Sequence, residues 1–232
     1  MDRARTIRLL DDLDEDLRTG SDIGERLCRS AVETLSVTGA GIMLMADGQH
    51  KGTLGVSNDV MSVVEDLQFT LGEGPCIDAF SSEAPVHAPD IANPAERRWP
   101  GFCRQAVDAG VRALFGFPLH VGGASFGALD LYMDRPGDLL PKQAADAIEF
   151  ADVISGLILS LQGGAAPGML ADPLGARFTH RAVVHQASGM LSAQLVIDVD
   201  EALVRIRAHA FGSNRSVHDV ASDIVNRHLW LE

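Results

Sequence analysis

Cysteines stand at positions 28, 76 and 103, and two of them lie where the sequence concentrates its chemistry. Cys76 closes the run Leu71-Gly72-Glu73-Gly74-Pro75-Cys76, in which Pro75 is placed to open a helix. A helix N-terminus can lower a thiol pKa and attract anions. The glycines resemble a phosphate loop, but the Lys-Ser/Thr pair that would meet phosphate and magnesium is missing. Two readings stand: a tight turn into a helix, or the rim of a small-molecule pocket. Cys103 falls in a helix expected after Trp99, so Cys76 and Cys103 form either a redox pair or two small buried hydrophobes. The chain has no C-x-x-C, H-E-x-x-H, Walker or G-x-G-x-x-G motif, and His180 and His185 are five apart, off a shared helical face. The sequence therefore offers no catalytic set and no metal set, no cofactor is identified, and a non-enzymatic protein is expected.

The elements that must position these residues come from 232 residues, a length that suits one large or two modest domains. Hydrophobic residues make up 46%, enough for a packed core, and the net charge is −13. Residues 1–170 carry 13 basic and 25 acidic side chains, against 6 and 7 in residues 171–232, so a polyanion would be repelled by the body and would meet the tail. Glycines, Pro118, His120 and Asp130 interrupt the longest apolar tract, 113–133, which excludes a spanning helix. Six acids in the first twenty residues fit no signal peptide. A cytoplasmic chain without a membrane anchor is the expectation.

Small residues at 163–168 and the Asp172-Pro173 cap set the expected division: 1–162, a linker at 163–171, and 172–232. Before the linker, helices are predicted over 3–18 and 22–36. A hairpin is expected around Asp47-Gly48, with strands at 41–46 and 51–56, and another around Gly122-Gly123, with strands at 114–121 and 125–133. Helices at both ends of antiparallel strands predict an α+β domain with helices on one sheet face. The last helix, 141–162, has a stripe Ala144, Ala147, Ala151, Ile154, Ile158, Leu161 and an adjoining one of Phe150, Val153 and Leu157. These stripes cover either the chain's own sheet or the sheet and a second copy. After the linker three helices are predicted, about 173–195, 199–211 and 217–229, the last two opened by Asp198-x-x-Glu201 and Ser216-x-x-Asp219.

The tail resembles the ANTAR family. Val183-Val184-His185-Gln186-Ala187-Ser188-Gly189-Met190-Leu191 is similar to its first motif, and the run 202–210 to its A-x-x-x-L-R-x-x-A stretch; Ser216-Val217, Val220-Ala221 and Ile224-Val225 follow as its third helix. Ser188 departs from a Lys common in the family. Residues from about 20 to 162 resemble a GAF domain, on Leu71–Cys76, Asp90-Ile91 and the hairpin Phe117-Pro118-Leu119…Gly127-Ala128-Leu129. The resemblance implies an α+β GAF sensory domain, an antiparallel sheet flanked by helices, followed by an all-α three-helix ANTAR domain. It implies a transcription antitermination regulator that binds paired hairpin loops in nascent RNA.

On that basis Arg205, Arg207 and Arg215 are expected to supply charge to RNA. The small residues Ser188, Gly189, Ala208 and Ser213 are expected to let RNA approach the backbone closely, and Gln186 is expected among the RNA-binding residues. A GAF ligand of unknown identity would be lined by Phe69, Gly74, Cys76, Ile77 and Trp99. A homodimer through the flanking helices is expected, with Ile154 and Ile158 in the contact. Two rivals remain: a DNA-binding regulator using the last two helices as a helix-turn-helix, and a thiol-dependent methionine sulfoxide reductase using the cysteines.

Overall fold

The computed structural model describes residues 23–46, 49–162, 179–213 and 215–231. The expected helix at 3–18, the turn Asp47-Gly48, the linker and the Asp172-Pro173 cap lie outside the described residues. The chain divides into two compact units, Met1–Arg177 and Phe178–Glu232.

In the first unit a five-stranded antiparallel sheet has the order β2-β1-β5-β4-β3, from β1 (Gly39–Ala46), β2 (Gln49–Val56), β3 (Val86–Ala88), β4 (Ala113–Val121) and β5 (Ala124–Met133). Both hairpins expected from the sequence are present. The sheet is covered on both faces, not one. Alternate side chains of β4 and β5 point to opposite faces, yet Phe115, Phe117, Leu129 and Leu131 are as completely buried as Leu114 and Asp130. Helices α1 (Ile23–Leu35) and α5 (Pro141–Gln162) pack on β1, β2 and β4, and Gln143 ties them by donating Nε2 to the Leu35 carbonyl at 2.9 Å. Gly24 of α1 and Gly55 of β2 meet backbone to backbone. A Cβ on either would fall 2.0 Å from the other segment's main chain.

Three further helices, α2 (Asp59–Leu71), α3 (Pro75–Ser82) and α4 (Pro100–Asp108), cover the Asp130 side. Asn58 opens α2: its Oδ1 accepts the Met61 N–H at 2.9 Å while its Nδ2 donates to the Thr38 carbonyl. Met61, Val64, Trp99, Phe102, Leu114 and Tyr132 form one buried cluster between α2, α4 and the sheet.

The expectation that Ile154 and Ile158 form a face for a second copy is corrected. They are 0% and 4% exposed inside this unit, because α5 turns its Ala147–Ile154–Ile158 stripe onto its own domain. The apolar residues that α5 leaves outside are Ile148 and Leu159.

The second unit is α6 (Thr179–Leu195), α7 (Val199–Gly212) and α8 (Val217–Val225). Its core is Val184, Ala187 and Leu191 against Ala202, Leu203, Ile206 and Ala210, closed by Val217, Val220, Ala221 and Ile224. Asp198 and Ser216 cap α7 and α8 through the Asp200 and Asp219 N–H groups, at 2.7 and 3.0 Å. The last helix is shorter than its sequence pattern suggests. It stops at Val225, Arg227 turns to φ +60°, and the N–H groups of His228 and Leu229 close on the Asp223 carbonyl.

Candidate functional site

The Gly72–Cys76 run serves three helices at once. Gly72 ends α2, its N–H donating to the Gln68 carbonyl. Glu73 Oε2 accepts the Gly101 and Phe102 N–H groups at the start of α4, at 3.1 and 3.3 Å. Gly74 is the N-cap of α3 at φ +140°, where a side chain is strained and a Cβ would lie 2.4 Å from Gln68 Oε1. That oxygen accepts the Cys76 N–H at 2.9 Å. The anion-binding reading of this loop is thereby weakened, since protein side chains already occupy donors at the N-termini of both α3 and α4.

Gln68 also donates Nε2 to Asp130 Oδ2 at 2.7 Å, so one side chain links α2, the start of α3 and β5. Asp130 is 0% exposed and Glu65, one turn before Gln68, is 1% exposed. Thr53 of β2 donates to Glu65 Oε2 at 3.4 Å. Burial pushes the Asp130 carboxyl up to about 7, against the lowering effect of its hydrogen bonds with Gln68, Cys76 and Glu65. This buried acid cluster is absent from the sequence-based expectations. The alternation of β5 marks Asp130 as lying opposite Leu129 and Leu131, but does not reveal that its own face is covered.

The sequence-derived ligand residues fall in and around this layer. Phe69 and Cys76 are buried, the latter packed with Met43, Met45, Ala128 and Phe80. Gly74 is buried and Ile77 half-buried. Trp99 is 2% exposed, donates Nε1 to Asp78 Oδ2 at 3.0 Å, and carries the Arg98 guanidinium 4.3 Å from its ring centroid.

The redox reading loses its footing. All three cysteines are free and buried, Cys76 and Cys103 belong to different core clusters, and burial, with Glu96 and Glu73 nearby, pushes the Cys103 thiol up to about 11. A reactive thiol needs the opposite shift. Among the described residues no group of His, Cys, Asp or Glu is placed to hold a metal ion, and no helix is long and apolar enough to cross a membrane.

In the helical unit the expected RNA contacts separate. Gln186 and Gly189 are exposed on α6, and a Cβ on Gly189 would meet nothing within 4 Å, so this glycine is not required by helix packing. Ser188 is corrected. It is 1% exposed and donates Oγ to the His185 carbonyl at 3.0 Å, because it shares the inward side of α6 with Val184, Ala187 and Leu191. It offers no surface to RNA.

Arg205 pairs with Glu201 at 2.8 Å and Arg215 with Asp223 at 2.6 Å. Ser213 ends α7, its Oγ donating to the His209 carbonyl. Arg207 is half-buried with its Nε inside the unit. At about 100° per residue, Arg205 and Arg207 leave α7 on nearly opposite sides, so an RNA held by both has to reach around the helix.

A sheet clad by helices on both faces and, in a second compact unit, three helices make a two-module architecture. A GAF domain model matches residues 18–158 and an ANTAR domain model matches residues 173–225. The chain belongs to the GAF domain family and carries an ANTAR domain behind it. Solved structures share the fold. The GAF domain of an Acinetobacter phosphoenolpyruvate-protein phosphotransferase is 12% identical with TM-score 0.52, covering 72% of this chain and 99% of that one. The GAF domain of the Coxiella burnetii phosphoenolpyruvate-protein phosphotransferase is 13% identical with TM-score 0.50, covering 70% and 98%. No curated protein matches the sequence.

Proposed function

We propose that this protein is a signal-responsive RNA-binding regulator of transcription antitermination. Its GAF unit takes a small-molecule or partner signal, and its ANTAR unit holds paired hairpin loops of nascent RNA. The observation that carries this is the order of the two matched domains along one chain. The near neutrality of the tail beside an acidic body supports it. A DNA-reading helix-turn-helix is not favoured, since Val217–Val225 contains neither Lys nor Arg. Phe69, Gly74, Cys76, Ile77 and Trp99 border the layer where the signal acts. A ligand there works only by favouring one packing of α2–α4 over another.

RNA contact is assigned to Gln186, Gly189, Arg205, Arg207, Ser213 and Arg215. The test is fluorescence-detected binding of the full chain to RNAs with two linked hairpins, against duplex DNA. Arg215→Ala is expected to weaken RNA binding by roughly 1–3 kcal/mol. Its melting curve should move little, because a partly exposed ion pair contributes at most about 1 kcal/mol to folding. Preference for duplex DNA would refute the assignment.

Two ANTAR units in one dimer would hold two loops through effective concentration. We place the dimer contact on the outer side of α5, at Ile148 and Leu159, which are 46% and 53% exposed. Combined Ile148→Asp and Leu159→Asp substitutions should give folded monomers in sedimentation velocity; a persistent dimer would move the contact elsewhere.

A further inference from the structure

We propose that Phe211 is a stacking platform for an unpaired RNA base, an inference that rests on the RNA-binding reading of the helical unit. Phe211 is 61% exposed on the last turn of α7, beside Ala210, which is wholly buried. The core therefore closes without it. Arg207 precedes it by four residues and Val204, itself 58% exposed, by seven, so the three share one side of α7.

The segment around this ring differs in charge from the rest of the chain. From 205 to 215 it carries Arg205, Arg207, His209 and Arg215 and no acid, within a protein of net charge −13. Among the described residues, Glu201 and Asp223 pair with Arg205 and Arg215 at its two ends. A cationic segment that presents one flat apolar ring suits a nucleic acid with splayed-out bases, where phosphates meet the charge and a base covers the ring.

The ring is also held in place. The Ser213 N–H and Oγ both donate to the His209 carbonyl, at 2.9 and 2.6 Å, and the Arg215 N–H donates to the Ala210 carbonyl at 2.9 Å. These bonds fix the backbone on both sides of Phe211, so little ordering remains to be done when a base arrives. Trp230 is equally exposed, at 63%, but lies beyond α8 and outside this basic segment.

The experiment selects binders of the full-length chain from RNAs with two linked hairpins of randomised loop sequence. The selected RNA is then labelled with 2-aminopurine at each loop position in turn. Phe211→Leu keeps apolar bulk but removes the ring, and should weaken binding roughly tenfold. Phe211→Tyr should bind as the parent does, and Trp230→Ala should bind unchanged. At one loop position the fluorescence change on binding should disappear in Phe211→Leu. All variants should melt with the parent, since neither ring supports the core.

If the parent binds and Phe211→Leu binds equally well, the stacking role is overturned and the RNA reading survives. Equal losses in Trp230→Ala and Phe211→Leu would also overturn it, as would Phe211→Leu changing self-association in place of RNA affinity. Failure of the parent to enrich any RNA would overturn both.

Discussion

Replacing Asp130 by asparagine is expected to raise the melting temperature at pH 8 and to leave it nearly unchanged at pH 4. In the folded chain the Asp130 carboxyl titrates near 7 because it is fully buried, whereas an unfolded aspartate titrates near 3.9. The folded state therefore holds its proton more tightly. The resulting stability is fully present below about pH 4, declines as pH rises, and is gone above about pH 7. The loss from this one group is on the order of 4 kcal/mol.

The groups that face Asp130 are Gln68 and Glu65 from α2 and Cys76 from α3. Asparagine keeps the acceptor for Gln68 Nε2, adds a donor toward Glu65, and carries no charge to bury. Melting followed from pH 4 to 8 should show a clear fall for the parent and a shallower one for Asp130→Asn. Parallel curves, or a variant less stable at pH 8, would show that Asp130 is not the titrating group. Asp130→Ala should be destabilised at every pH, because it leaves Gln68 Nε2 without its acceptor.

Gly24→Ala should be among the most damaging single-methyl changes in the sensory unit. Its Cβ would stand 2.0 Å from the Leu54 carbonyl oxygen and 2.4 Å from the carbon. Leu54 belongs to a strand paired with β1, so the helix must lift instead, at a cost of about 3 kcal/mol or more. Gly156→Ala supplies the control. That glycine is also helical, its added carbon would meet nothing within 4 Å, and the change should stabilise by up to about 1 kcal/mol. Urea unfolding midpoints that moved equally in the two variants would refute the close-contact account.

Local chemistry made much of this fold readable. Gly122-Gly123 marked its hairpin, Pro75 the start of α3, and Ser216 and Asp198 the starts of α8 and α7. Each is a short-range steric or hydrogen-bonding preference that tertiary packing left intact. Helix α2 escaped because its inward side is Met61, Val64, Glu65, Gln68 and Phe69, a correct helical spacing with polar residues at two of five buried positions. An apolar periodicity has nothing to register there. Ser188 and Phe211 are the reverse pair, a hydroxyl inside and a ring outside. Residue type suggests the wrong side for both: the serine satisfies itself on a backbone carbonyl, and the phenylalanine follows a helix whose core is already closed by Ala210. Arg207 was legible as a site residue but not as a half-buried one, since burial depends on how α7 is turned against its neighbours.

The placement of the two tryptophans gives the protein its own optical labels. Trp99 is enclosed in the sensory unit with its indole N–H bound to Asp78, and Trp230 is largely exposed in the helical unit. Their emission should differ in colour, blue for the enclosed indole and red for the exposed one. Excitation at 295 nm then follows each unit through its own band: loosening of the α2–α4 layer shifts the blue component alone, while events at the end of the chain act on the red.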